Sequence, residues 1–213
     1  MKTLIAHLLI LGVWIFNISS MIPQVLLNYR LKYGMGISDQ MLLLNLNGFL
    51  CGLFYIYAVD LPLTYKILAP ISCTLLMILI MQRILYSPVK DAAHKRFVIC
   101  FALNMFLLIL SAFYLYHHRA IADVFGWASL FSMTIYQIPQ IVKIIEQRST
   151  FGFSFSYVTL MTTSAVLETI AGIILGLPLI VKLNGVRAVA MYLIFALLFM
   201  WYPPIKKPKE SEI

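Results

Sequence analysis

Seven stretches of this chain are long, apolar and almost free of charge. They run roughly over 4–29, 39–59, 63–86, 96–116, 120–146, 155–176 and 180–202. A helix that crosses a bilayer needs about 20 predominantly apolar residues. In lipid, every backbone polar group must also find its partner inside the protein. Together these conditions leave an all-α, multi-pass membrane protein. Composition agrees: 62% of residues are hydrophobic and 11% charged, against about a quarter charged in soluble domains. Few residues remain for a separate soluble domain. The start, "MKTLIAHLLILGVWIFNISS", has the Lys and apolar core of a signal peptide but no small-residue cleavage site. Its apolar pattern continues to Leu27, so it reads as the first span.

The breaks carry turn chemistry. "KYGMGIS" is a Gly-containing turn in which Ser38 is placed to cap the second helix. "DLPL" and "GLPL" are Pro-marked turns, and "YSPVKDAAHKR" reads as a polar loop. Seven spans put the termini on opposite sides, which basic residues can test. One side receives Lys2, Lys66, Arg119, Lys182 and Arg187; the other receives the remaining eleven of sixteen. The positive-inside rule then makes the C-terminus cytoplasmic and the N-terminus periplasmic or lumenal. The formal charge of +8 is thereby explained by topology, without nucleic acid. A bacterial inner membrane and an organelle membrane fit equally. The tail "KKPKESEI" reads as a short charged end attracted to anionic lipid.

The chain also matches itself when shifted by 116 residues. "IPQV" at Ile22–Val25 falls on "IPQI" at Ile138–Ile141, and Lys32, Gly36 and Ser38 fall on Arg148, Gly152 and Ser154. "LPLTYK" falls on "LPLIVK", and "YSPVK" on "YPPIK". Each unit holds three helices, and one extra helix between them returns the chain to its starting side. The expected architecture is seven transmembrane helices as two parallel three-helix bundles joined by a linker helix, a 3+1+3 plan. Its parts are residues 1–93, the linker helix 94–118, residues 119–206 and the cytoplasmic tail 207–213.

Each unit carries one Pro-Gln pair inside its first helix. Proline removes a helical hydrogen bond and pushes its ring toward the carbonyl four residues back. Pro23 frees the carbonyl of Ser19, and Pro139 that of Ile135. Both should face the bundle interior, where protein or water meets the freed group. A single proline would read as a static kink. Two in register, each followed by Gln, read as hinges formed by Pro23, Gln24, Pro139 and Gln140.

The segments "IPQVLLNYRLKYGMGIS" and "IPQIVKIIEQRSTFGFS", with the three-one-three plan, resemble the PQ-loop family across nearly the whole chain. That family includes cystinosin, lysosomal cationic amino acid exporters, and the related sugar-transporting SWEET and KDEL-receptor groups. Lys32, Gly36, Ser38, Asn45, Leu46, Gly48 and Phe49 resemble the first motif of cystinosin. The resemblance implies an alternating-access transporter of small solutes with the prolines as hinges. Proton-coupled relatives resembling cystinosin carry an Asp on the helix after each PQ turn. Here Asp39 is displaced by one residue, Gln40 stands at the family position, and Met161 stands there in the second copy. The second and sixth spans lack the prolines of SWEET proteins.

Glu168 is the only acid deep within a span. An ionised carboxylate at mid-membrane costs about 2.5–3.5 kcal/mol on insertion scales, so it should face a cavity. It is the candidate proton or charge site. Candidate substrate ligands are Asn17, Asn45, Tyr136, Gln137 and Met161. Amides both donate and accept, which suits the ammonium and carboxylate of an amino acid. Of Asn45 and Asn47, only one can face inward, because they sit about 200° apart on a helix; the family pattern favours Asn45. Asn104 reads as a bond between helices. Cys51, Cys73 and Cys100 lack metal or disulfide spacing, and His7, His94, His117 and His118 read as surface or loop residues without metal spacing.

The functional expectation is a transporter of a small polar solute, an amino acid of the cystine or cationic class, with proton coupling. The alternatives are a sugar uniporter of SWEET type and a non-transporting receptor or regulator. No nucleophile–base pair, metal cluster or phosphate loop points to an enzyme, and no cofactor is implied. The partners are the solute, protons and the bilayer. Composition is as compatible with a dimer as with a monomer.

Overall fold

A computed structural model describes residues 2–34, 36–61, 63–87, 92–115 and 121–204. The described residues form helices and short turns: α1 Lys2–Leu31, α2 Asp39–Ala58, α3 Leu63–Leu85, α4 Ala92–Leu115, α5 Ala122–Ile135, α6 Ile138–Gln147, α7 Phe155–Ile174 and α8 Leu179–Trp201. Among the described residues five stretches, Leu8–Leu31, Asp39–Ala58, Tyr65–Leu85, Phe155–Ile174 and Leu179–Trp201, are long and apolar enough to cross a membrane. Large apolar side chains also cover the outside: Leu11, Ile15, Ile99, Phe131, Ile173 and Val186 are exposed. A soluble protein rarely shows contiguous apolar surface on this scale; lipid accommodates it.

Several expectations are corrected. The fifth span, expected over 120–146, is two segments separated at Tyr136 and Gln137, just before Pro139. The fourth helix starts at Ala92, so Lys95 and Arg96 ride on its first turn and His94 is buried rather than in a loop. Asn104 donates to the Cys100 carbonyl of its own helix at 3.1 Å, and among the described residues no bond from it to a neighbouring helix is seen. Ser38 stands at the α2 N-cap without a side-chain cap bond, whereas Ser154 caps α7 by accepting from the Tyr157 N–H. The tail 207–213, expected to be cytoplasmic, His117, His118, Arg119 and the side chain of His7 lie outside the described residues.

The 116-residue register is visible in the backbone. Lys32 and Arg148 both take φ 47° at the ends of α1 and α6. Asp60 and Gly176, also 116 apart, take φ 56° and 63°. Left-handed residues close helix ends because the following N–H groups then reach back to the last carbonyls. Leu61 N–H reaches Ile56 O at 3.1 Å, and Leu177 N–H reaches Gly172 O at 3.0 Å. Pro70 inside α3 displaces the carbonyl of Lys66, which Tyr57 Oη satisfies at 2.9 Å.

Helices pair across the repeats: α1 packs on α7, and α2 on α5. Within the units, α3 packs on α1 and α2, and α8 on α5 and α7. Gly48 and Gly52 lie one turn apart on α2 and let α5 approach closely. A Cβ on Gly48 would meet Met133 at 2.8 Å, and one on Gly52 would meet Ser129 Oγ at 3.0 Å.

One matched contact differs in chemistry between units. In the first, Asp39 at the start of α2 accepts from Arg83 Nε at 2.6 Å and from its second nitrogen at 2.9 Å. In the second, the matched residues are Phe155 and Phe199, whose rings meet edge-on at 5.3 Å. Asp39 is therefore engaged structurally, beside the Arg83 guanidinium that also lies over Phe97 at 5.6 Å. Removing one member of a buried pair leaves the other charge uncompensated. Asp39→Asn is expected to destabilise the protein by about 1–3 kcal/mol, discounted because the carboxylate is partly exposed. Asp39→Asn with Arg83→Met should recover most of that loss in detergent thermal unfolding. An unchanged midpoint for Asp39→Asn would refute the assignment.

Candidate functional site

The two Pro-Gln pairs meet the opposite repeat, and their glutamines do most of the contacting. Gln24 is fully buried in α1. Its Nε2 donates to the Gly152 carbonyl at 2.9 Å, and its Oε1 accepts from the Ser154 N–H at 2.8 Å. Gln140 does the same in return: Nε2 to the Gly36 carbonyl at 3.1 Å, Oε1 from the Ser38 N–H at 2.7 Å. Each glutamine thus clamps the loop of the other unit. Gly36 and Gly152 press against each other between them; a Cβ on Gly36 would lie 2.2 Å from the Gly152 oxygen. Lys143 Nζ adds a bond to the Ile37 carbonyl at 3.3 Å. This end of the molecule is closed.

Behind the clamps lies a central cavity of about 160 Å³. A second lobe reaches from it past Tyr55 and Ile56 toward Leu61, Ile180 and Val181, at the opposite end. Sites for drug-sized ligands occupy roughly 300–1,000 Å³, so this chamber suits a smaller solute. Of the residues expected from sequence, Asn17, Asn45, Tyr136, Met161 and Glu168 line it. Gln137 does not. It is fully buried, and its Nε2 donates to Tyr136 Oη at 3.0 Å. That hydroxyl also shares a 3.0 Å hydrogen bond with Tyr192 Oη, which fixes the Tyr136 ring on the wall. Asn17 accepts from Ser72 Oγ at 2.8 Å. Ser20 Oγ contacts Met161 Sδ at 2.8 Å.

Matched positions line the cavity in both units, yet their chemistry differs. Asn17, Asn45 and Ser72 correspond to Met133, Met161 and Ala188; Ser164, Glu168 and Asn184 correspond to Gly48, Gly52 and Leu68. A polar group in one unit has an apolar or absent side chain at the matched position of the other. The first unit contributes neutral amides and the hydroxyls of Ser72 and Tyr65, while Glu168 and Arg187 come from the second. A near-symmetric frame therefore holds a polarised chamber, able to fix the orientation of an asymmetric solute.

The main residue missed from sequence is Arg187. It was counted among the loop charges, but it lies within α8 and lines the cavity. Its guanidinium donates to the Met133 carbonyl and to Asn184 Oδ1 at 3.0 Å. It sits 6.0 Å from the centre of the Tyr136 ring. Glu168 lies within its electrostatic reach, but no ion pair closer than 4 Å joins them among the described residues. A basic residue inside the seventh span was itself the available signal, since intramembrane charges face cavities.

Among the described residues no three His, Cys, Asp or Glu side chains come together to hold a metal ion. What the geometry defines is a multi-pass helical membrane protein with a polar chamber on the seam of two internal repeats. The PQ loop repeat family profile matches residues 5–65 and 121–181, together more than half of the chain, and the chain belongs to that family. The fold is similar to the 3.7 Å resolution structure of a eukaryotic SWEET transporter, with a TM-score of 0.71 over 94% of this chain and 98% of that one. Identity is 13%, so the likeness is one of fold. No curated protein matches the chain.

Proposed function

We propose that this protein transports a small zwitterionic amino acid across its membrane by alternating access. The observation that carries the reading is the pair Glu168 and Arg187, one acid and one base on a single chamber whose remaining polar groups are amides and hydroxyls. In this reading Glu168 meets the substrate ammonium and Arg187 its carboxylate, with Asn17 and Asn45 lining the same chamber. One charge of each sign favours a zwitterion over the cationic members of the class, and the volume favours a small side chain over cystine. The 3+1+3 plan supplies the two moving bodies: residues 1–93 and 119–206, joined by the helix in 94–118. Pro23 and Pro139 are the hinges. With the C-terminus cytoplasmic, the clamped end faces the cytoplasm and the second lobe faces the periplasm or lumen.

Uptake of labelled amino acids and sugars into proteoliposomes, with and without a pH gradient, tests this. Saturable amino acid uptake is expected; saturable sugar uptake alone would refute it. Glu168→Gln removes the one acid that lines the chamber among the described residues, so proton-driven uptake should fall about a hundredfold or more, the value of one proton-transfer role. Retention of wild-type uptake at every pH would remove Glu168 from proton coupling. A sugar uniporter is the second reading, favoured by Asn17, Asn45, Asn184 and three serines on the wall, which suit hydroxyl groups as well as charged ones.

A further inference from the structure

We infer that Arg187 couples occupancy of the chamber to the shape of the second PQ helix, because its guanidinium caps a carbonyl that the α5–α6 break leaves open. The two PQ helices differ in form in this one molecule. The first, α1, is continuous through Pro23. The second is interrupted at Tyr136 and Gln137. In a continuous helix the Gln137 N–H would bond the Met133 carbonyl four residues back. Here no such backbone bond forms; the Tyr136 N–H is the last to bond back, to Ser132 at 3.0 Å.

The freed Met133 oxygen is met by Arg187 instead. An unsatisfied carbonyl inside a membrane protein is costly, so this contact stabilises the broken form. The matched residue in the first unit is Ile71, which offers no donor, and the matched helix is unbroken. In that helix the equivalent carbonyl, of Asn17, accepts from Ser20 Oγ at 2.6 Å, a bond within its own turn.

The same guanidinium faces the chamber, and its Nε is buried without a hydrogen-bond partner. A carboxylate entering the chamber competes with the Met133 carbonyl for the guanidinium, and a charged acceptor is the stronger of the two. Drawing the guanidinium inward uncaps the carbonyl and favours closing of the break by the Gln137 N–H. That straightens the helix carrying Pro139 and Gln140, and so acts on the clamp. Arg187 is thus a positioning residue for the hinge. The substrate arm of this inference rests on the amino acid reading; the capping arm does not.

The test uses the full chain with Cys51, Cys73 and Cys100 replaced by Ala, and spin labels at exposed Arg30 and Glu146. These positions are matched across the repeats near the clamped ends of α1 and α6. Distances are measured in lipid by pulsed electron resonance for the wild type, Arg187→Met and Arg187→Lys. Arg187→Met should raise the ratio of long to short distances by about tenfold to a hundredfold, the loss of one hydrogen bond to a charged group. Arg187→Lys, which has a donor but cannot hold both Met133 and Asn184 with one planar fork, should fall between. Should Arg187→Met not give a monodisperse protein, Arg187→Lys carries the comparison alone. A distribution unchanged from wild type overturns the inference. L-alanine should lengthen the distances in wild type but not further in Arg187→Met, and its methyl ester should do so in neither. No response to alanine, with the variant shift intact, overturns the substrate class and leaves the cap standing.

Discussion

Gln140→Leu is expected to open the clamped end. The substitution keeps the side chain's bulk but removes both bonds to the opposite loop, leaving the Ser38 N–H and the Gly36 carbonyl without their partner. Each buried group left unsatisfied costs about 1–3 kcal/mol, so the closed arrangement should lose about 2–6 kcal/mol relative to the open one. A substrate-independent readout exists, because the rings of Tyr33 and Phe151 meet across this end at 5.7 Å. In a cysteine-free background, the disulfide yield between Y33C and F151C should drop at least tenfold when Gln140→Leu is added. Gln24→Leu should do the same or more, since Gln24 also holds Asn28 Oδ1 at 2.8 Å. The double variant should fall short of the sum, because both residues close one interface. Gln140→Glu separates the two halves of the clamp: it keeps an acceptor for Ser38 and loses the donor to Gly36. A crosslinking yield that survives all three substitutions would mean that the glutamines do not hold this end shut.

Gly36→Ala should be as severe through sterics alone. The added methyl would lie 2.2 Å from the Gly152 oxygen and 2.5 Å from its carbonyl carbon. Those are backbone atoms, which cannot turn aside as a side-chain tip can. Overpacking of a tight contact costs about 1–3 kcal/mol and occasionally more. We expect about 3 kcal/mol against the closed end here, about a hundredfold in its population. Gly152→Ala faces two penalties, contact with Gly36 Cα at 2.9 Å and a φ of 76°, a region that side-chain-bearing residues enter at a cost of about 1–2 kcal/mol. The same crosslinking assay reads both. If alternating access is the mechanism, solute flux should fall with the closed population even though neither glycine touches the chamber. Full flux with either alanine present would contradict that link.

The repeat made much of this legible beforehand. Gln24 and Gln140 were recognisable as a matched pair because both follow proline at one register. Their task was not, because the partners of Gln24 are Gly152 and Ser154, more than a hundred residues away, and no local pattern encodes that pairing. Asn17, Asn45, Tyr136, Met161 and Glu168 were legible as polar or family-marked positions in apolar helices. Arg187 lay inside the expected seventh span, but its charge was assigned to one side of the membrane; only the packing of α8 brings it to the chamber wall. Asp39 was legible only as an acid one residue away from the family position; its pairing with Arg83, 44 residues on, was not. Gln137 looked like a ligand until its side chain was found turned under Tyr136.

By itself the sequence determined the class of structure: lipid-spanning helices, two copies of one unit, a Pro-Gln pair in each, and one acid that has to face an interior. These follow from hydrophobic length, from register, and from the cost of charge in lipid, all of which are local or periodic. Only the tertiary structure decided which helices cross the seam, which end is shut, and that one PQ helix is broken while its twin is not. Those outcomes depend on contacts between residues far apart in the chain, where a glutamine amide, a bare glycine and a guanidinium meet backbone groups that no neighbouring residue satisfies.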